Sequence, residues 1–476
     1  MENETGNKSA IDSVINSFAG SFALRPKRDQ SASWSSLPPE LRNDILARIL
    51  NGATNLSSCA AVCTEWQDFL ENSTFSRLDI SASDLDDFDK CMNARRRELI
   101  SHICLAIRVP AYHHLTFSER ASPNGSLVRE GIWKLFSILS TWEPSKQGLT
   151  LELKAESPSD GFHLWYYDPL YENRLRFMAW ALGRFVVTIA DDGTELPFPQ
   201  RLPTVNAVTS LDVSQQLHHR FSPKVLQLML RKLPRVESIF YEPFYTEHRY
   251  KQLGYDMIHK SFIEQCLPQT LKRVTLFEHA HPSRHVPADY TRDVPYLGPR
   301  VEYDGPAVAL AKRSISLEYL SVSVMVDARQ FFDACELGWT WHNLQYLELT
   351  SPLLTDVETR DEVSDLLYNA GITALNMPQL HNMILWNGMR EEAGAFIYCK
   401  KSKEDGLPSI TWRGTWTPYL HRYVTVTWDV VAETFTRQRI RMDYEWIDGS
   451  GINDIMDARV ALKLVDLVEP QPGADR

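Results

Sequence analysis

With 476 residues, 43% of them hydrophobic and 23% charged, the chain has room for about two or three domains or one elongated array, and is too rich in core-forming side chains for general disorder. Its net charge of −11 argues against a broad nucleic-acid surface, which takes clustered Lys and Arg. Seven scattered cysteines form no Cys-x-x-Cys pair, so reduced thiols in the cytoplasm or nucleus are expected.

Residues 1–33 are dominated by Ser, Asn, Gly and charge, with one short apolar island from Ile11 to Ala23, and are expected to be a disordered leader. Met1 to Gly20 lacks the basic start and apolar run of a signal peptide. The best apolar stretch, Phe177 to Ala190, is cut by Gly183 and Arg184, short of the about 20 residues that span a bilayer. No membrane partner is therefore expected, and the sequons at Asn7, Asn55, Asn72 and Asn124 read as chance matches.

Residues 34–80 read as a compact helical block. Leu37-Pro38-Pro39 suits a helix start, because first-turn N–H groups have no intrahelical acceptor for proline to displace. Leu41, Ile45, Leu46, Ile49 and Leu50 then recur with helical period, opposite Arg42, Asn43, Asp44 and Arg48, and Asn51-Gly52 ends the helix. A second stretch carries Leu56, Cys59, Ala60, Val62 and Cys63, and a third Trp66, Phe69 and Leu70, before Phe75, Leu78 and Ile80 lead into extended chain. Three short helices bury too little surface to stand alone, so the block is expected to lean on something. Residues 81–98 read as a helical linker. Arg95, Arg96 and Arg97 are expected on a solvated helix face, the alternative being a nuclear-import or acidic-partner contact.

From residue 99 to 476, short β-like runs alternate with helical stretches. An apolar anchor, two variable residues and an alternating run recur around Val236, Leu271, Leu317, Leu344 and Leu380, 35, 46, 27 and 36 residues apart. Leucine-rich repeats run about 20 to 29 residues, each a strand with a return helix or loop. The expected fold is α/β (α+β), a three-helix block followed by an irregular leucine-rich-repeat-like solenoid. The alternative is a single α/β domain whose strands follow Leu-Pro turns.

The order Leu37-Pro38, then Leu41, Ile45, Ile49 and Leu50, then Cys59, Val62, Cys63, Trp66 and Phe69, then Phe75, Leu78 and Ile80 resembles the F-box family, over about a tenth of the chain. The resemblance implies a module that packs apolar residues on a Skp-type adaptor and so joins a cullin and RING ubiquitin ligase. Leu37, Pro38, Leu41, Ile45, Ile49, Leu50, Val62 and Trp66 are the implied adaptor contacts. An exposed apolar face on a small helical block agrees with an obligate interface; the alternative is an intramolecular cap. Tyr241-Glu242-Pro243-Phe244, Val324-Met325-Val326-Asp327-Ala328, Leu385-Trp386-Asn387-Gly388 and Thr411-Trp412-Arg413-Gly414-Thr415-Trp416 are similar to phrases in fungal F-box proteins whose long C-terminal region has no assigned activity.

Catalytic motifs are missing: there is no Gly-x-Gly-x-x-Gly, phosphate-binding loop or Gly-x-Ser-x-Gly elbow. Glu278, His279, His281 and His285 have the composition of a zinc loop, though a polar surface loop explains them as well. Cys59 and Cys63 read as small core residues, and His113-His114 and His218-His219 as solvated. Trp386, Trp412, Trp416, Tyr241 and Tyr245 are candidate target-binding residues, as are Tyr419 and Trp428, because aromatic anchors dominate interface energy; for Trp412, Trp416, Tyr419, Trp428, Tyr241 and Tyr245 the favoured reading is core and strand pairing on an alternating face. The expected function is a noncatalytic adaptor without cofactor or metal that recruits ligase machinery through the F-box and holds a protein target with residues 99–476. The alternative is an F-box scaffold acting outside ubiquitin transfer.

Overall fold

The computed structural model describes residues 34–52, 55–108, 117–156, 186–187, 201–213, 220–221, 223–242, 259–277, 305–356, 360–402 and 405–467. The expected leader, the histidine loop 278–285, Tyr245 and both adjacent-histidine pairs lie outside these residues. Cα packing separates Met1–Leu78 with Cys91–Ser101 from Asp79–Lys90 with His102–Arg476.

In the first unit, a 3-10 turn at Trp34–Ser36 precedes α1 (Pro39–Gly52), α2 (Leu56–Ala60) and α3 (Thr64–Ser76). Proline opens α1 with Glu40 in its first turn, where a carboxylate complements the positive end of the helix dipole. Asn55 caps α2 by accepting the Ser58 N–H at 3.2 Å. The core is small, made of Leu46, Trp66, Leu70, Met92 and Ile100.

In the second unit, α4 is Leu85–Cys91, whose last residue falls to the first unit, which also holds α5, Ala94–Leu99. The sheet has twelve strands whose spatial order is their chain order. They are β1 (Arg77–Ser81), β2 (His102–Arg108), β3 (Thr150–Glu156), β4 (Ser210–Val213), β5 (Ser238–Tyr241), β6 (Arg273–Phe277), β7 (Tyr319–Asp327), β8 (Tyr346–Thr350), β9 (Asn382–Met389), β10 (Glu392–Cys399), β11 (Ser409–Gly414) and β12 (Arg441–Trp446). Every pair from β2 to β9 is parallel; β9, β10 and β11 form antiparallel pairs, and β12 returns parallel to β11. The fold is therefore mixed α/β, as its α/β texture implies.

The five anchors read from the sequence fall in register. Val236, Leu271, Leu317, Leu344 and Leu380 are all buried and each precedes its strand by two residues. The strands' first residues pair across the sheet, Ser238 with Arg273, Arg273 with Tyr319, Tyr319 with Tyr346, and Tyr346 with Asn382. One carbonyl in each step takes two N–H groups of the next: Glu237 O from Lys272 and Arg273, Lys272 O from Glu318 and Tyr319, Glu318 O from Gln345 and Tyr346, and Gln345 O from His381 and Asn382. The sequence spacing is irregular because the connections differ in length, while the strand starts do not.

Between parallel strands the chain returns through helices: α6 (Phe117–Leu139), α7 (Pro223–Leu230), a π-helical turn at Phe262–Cys266, α8 (Pro306–Ser314), α9 (Ala328–Asp333) and α10 (Arg360–Ala374); α11 (Arg422–Thr436) joins β11 to β12. From α7 onward each packs on the next. Gly371 brings α10 close to α11, since a Cβ there would lie 2.8 Å from the Thr427 methyl. Even strand positions such as Ile239, Val274, Leu320, Leu347 and Met383 are buried, which alternation places on one face.

The other face is covered in its C-terminal half. Phe277, Tyr319, Tyr346, Ile384 and Trp386 form one apolar cluster with Ile452, Ile455, Ala458, Leu462 and Leu464, so the segment that holds α12 (Ile455–Ala461) crosses the sheet. Gly388 permits this, because a Cβ there would stand 2.1 Å from the Ala458 Cβ. Among the described residues no helix is long and apolar enough to cross a membrane.

Candidate functional site

In the helical block, Glu65 at the start of α3 gathers the entrance. It accepts the Trp34 indole N–H at 2.8 Å and the Arg42 guanidinium at 2.6 and 2.9 Å, and the Trp34 and Trp66 rings meet edge-on at 5.1 Å. These contacts pin Leu37-Pro38 beside α1. Pro38 and Leu41 are exposed, Leu41 by 49%. Leu37, Ile45, Ile49, Leu50 and Val62 are half-buried. Leu41, Ile45 and Ile49 are four residues apart, so one helix side carries them. Seven of the eight candidate adaptor contacts thus offer apolar surface. The eighth does not: Trp66 is buried, and its part is to hold the block together from inside.

The arginine cluster is solvated at Arg95 and half-buried at Arg96 and Arg97. Arg96 reaches the buried Glu71 carboxylate at 3.0 Å and Arg95 pairs with Asp68 and, at 3.4 Å, with Glu71. Burial alone raises the Glu71 pKa, but Gln67 and the two arginines outweigh it and hold the carboxyl below its usual range. The guanidinium of Arg96 also lies 5.0 Å over the Phe75 ring. The acidic partner of the cluster is inside the block. Cys59 is half-buried and Cys63 exposed, so neither is the core residue expected; Cys63 sits where α3 begins.

The candidate target-binding aromatics are mostly core. Tyr241, Trp386, Trp412, Trp416 and Trp428 are buried, which agrees with core packing and corrects the candidacy of all five for target recognition. Tyr241 packs on Phe262 at 5.1 Å. Trp412 donates to the Trp416 carbonyl at 2.7 Å and Trp428 to the Leu367 carbonyl at 2.9 Å. Gly394 makes room for the tryptophans, since a Cβ there would lie 3.0 Å from both the Trp412 ring and Trp416 Nε1. Tyr419 is exposed, and the other large aromatics that face solvent among the described residues are Tyr368, Tyr423, Tyr444 and Trp446. The sequence signal for the last two was their alternation on a charged strand.

At the centre of the covered sheet face stands Glu348, which has no exposed surface. It accepts hydrogen bonds from the Ser321 hydroxyl at 2.8 Å, the Tyr346 hydroxyl at 3.0 Å and Arg459 of α12 at 3.1 Å. Tyr346 and Tyr319 stack at 4.4 Å, and Arg273 caps Tyr319 at 4.5 Å. Burial, then the Glu348 charge, pushes the Tyr346 phenol well above its usual range. Near the other end of the sheet, Glu152 bridges His102 at 2.8 Å and Lys154 at 2.7 Å. Burial raises its pKa, but these partners outweigh burial and bring it down to about 2. In the Glu348 network all three bonds go to Oε2, while Oε1 and Arg459 Nε are buried without a hydrogen-bond partner; among the described residues no cluster of His, Cys, Asp and Glu has a metal-ligating arrangement.

Residues 266–468 match a family of unknown function, DUF6546. The match covers less than half of the chain and begins beyond the helical block. No curated protein matches the chain.

Proposed function

We propose that the chain is the substrate-receiving subunit of a Skp/cullin/F-box ubiquitin ligase. Its helical block docks a Skp-type adaptor, which brings cullin and RING subunits, and residues 102–467 hold a protein target. Ubiquitin chemistry belongs to the other subunits, in the cytoplasm or nucleus. The observation that carries the reading is the apolar row Leu37, Pro38, Leu41, Ile45, Ile49, Leu50 and Val62, left exposed or half-exposed on a unit whose own core is five apolar side chains. Covering such side chains fully is worth about 1.5–3 kcal/mol each, which gives an adaptor more to gain than the block gains alone.

The parallel strands in chain order, with anchors in register, support reading residues 99–476 as a degenerate, insertion-bearing relative of leucine-rich repeats. The covered face departs from an open array, so a target has less of the sheet to use. Co-precipitation tests the ligase part: cullin is expected to accompany the natural chain together with the adaptor. Adaptor without cullin would make the protein a scaffold outside ubiquitin transfer.

A further inference from the structure

Strand β12 ends the sheet, and among the described residues its only strand partner is β11. The N–H groups of Arg441 and Ile447 point inward, to the Pro408 and Gly414 carbonyls, both at 3.0 Å. A parallel ladder alternates, so Met442, Tyr444 and Trp446 aim their N–H and C=O groups away from β11. Such an edge is a template for a further strand, and native sheets guard theirs with charge, proline or bulges.

Here each charge on the strand is engaged in an ion pair, with its side chain partly exposed. Arg441 pairs with Asp405 and, at 2.6 Å, with Asp443; Glu445 pairs with Arg413 at 2.6 Å. Aromatic surface faces out, with Tyr444 54% and Trp446 71% exposed. Where the strand ends, a cleft opens between Trp446, Asp448, Ser450, Glu391 and Thr415. Its ionisable groups are both acids. Ser450 donates to Asp448 at 2.7 Å, and Arg390 stands 3.7 Å from Glu391 on the cleft's rim. An aromatic wall beside carboxylates suits a cation, which gains from the ring face and from the charge.

We propose that the β12 edge receives an extended segment of the target protein as an added strand, with one lysine or arginine side chain seated in this cleft. Main-chain bonds to Met442, Tyr444 and Trp446 supply affinity, and the acidic cleft supplies specificity. The inference rests on reading residues 102–467 as the target-holding part, but not on the adaptor contact.

The test pans a random decapeptide library displayed on phage against the full-length chain, then measures the selected peptides by fluorescence anisotropy. Enriched peptides are expected to carry Lys or Arg at one fixed position within a β-branched, alternating run. Tyr444→Pro removes an outward donor and spares the ladder; it is expected to weaken these peptides about tenfold, as are Asp448→Asn with Glu391→Gln and a Glu in place of the peptide's cation. The Asp448 and Glu391 variants decide the matter if Tyr444→Pro does not fold. No enrichment, or binding indifferent to all these changes, overturns the proposal. So does a natural chain that sediments as a dimer and a Tyr444→Pro chain that sediments as a monomer, because the edge is then taken by a second copy. A chain that binds adaptor but no peptide loses this inference alone; one that binds peptide but no adaptor loses only the ligase reading.

Discussion

An imidazole with almost no exposed surface, His259, makes the fold acid-sensitive. Burial lowers its pKa from 6.5 to about 4, so the unfolded chain binds this proton more readily. The contribution is whole above the unfolded value and is lost as pH falls through the window between 6.5 and about 4, in all about 3 kcal/mol. His259→Leu, neutral at every pH, is expected to flatten that window in urea unfolding run on either side of it; an unchanged slope would contradict the assignment. At this scale the sequence was legible in part. The five strand anchors and the partly exposed apolar row of the helical block were readable because helical and strand periods fix which residues share a face. Core packing, the favoured reading of Trp412 and Trp416, holds, whereas Trp386 was misread as a recognition candidate because alternation does not tell what covers that face. Trp66 was misread for the same reason, since the Trp34 turn that covers it comes from outside the helix pattern.

Among elements, the segment around α12 is the one whose position the sequence did not show. Tyr346-Leu347-Glu348-Leu349 alternates like a strand with a wet side, yet Glu348 is sealed under α12 and met by Arg459 from 111 residues away. Local pattern carries no information about such a distant partner. Removing the cation leaves a buried charge unpaired, which costs about 3–5 kcal/mol, whereas removing both charges costs less. Chemical denaturation is therefore expected to show Arg459→Met strongly destabilised and Glu348→Gln with Arg459→Met partly recovered. A double variant as weak as the single would mean that α12 is held by its apolar residues alone, Ile455, Ala458 and Leu462. The parallel order of the strands was more accessible, because each β-like run was followed by a helical stretch long enough for a crossover.

For the whole molecule, the sequence divides its information unevenly. The block that resembles an F-box is about a tenth of the chain, and its apolar row is left exposed or half-exposed. The larger part is mixed α/β, dry on one sheet face and half-covered on the other, and among the described residues β12 at its edge pairs with β11 alone. A net charge of −11 keeps such a surface soluble and favours basic partners by long-range attraction, an effect that salt weakens. The most direct test of the receptor account is co-purification with a Skp-type adaptor, comparing the natural chain with one carrying Leu37→Ala, Pro38→Ala and Ile49→Ala. The account predicts a stable complex with the natural chain and its loss in the variant, with the sheet's thermal unfolding unchanged. A natural chain that binds no adaptor would contradict it and leave the helical block as an internal cap.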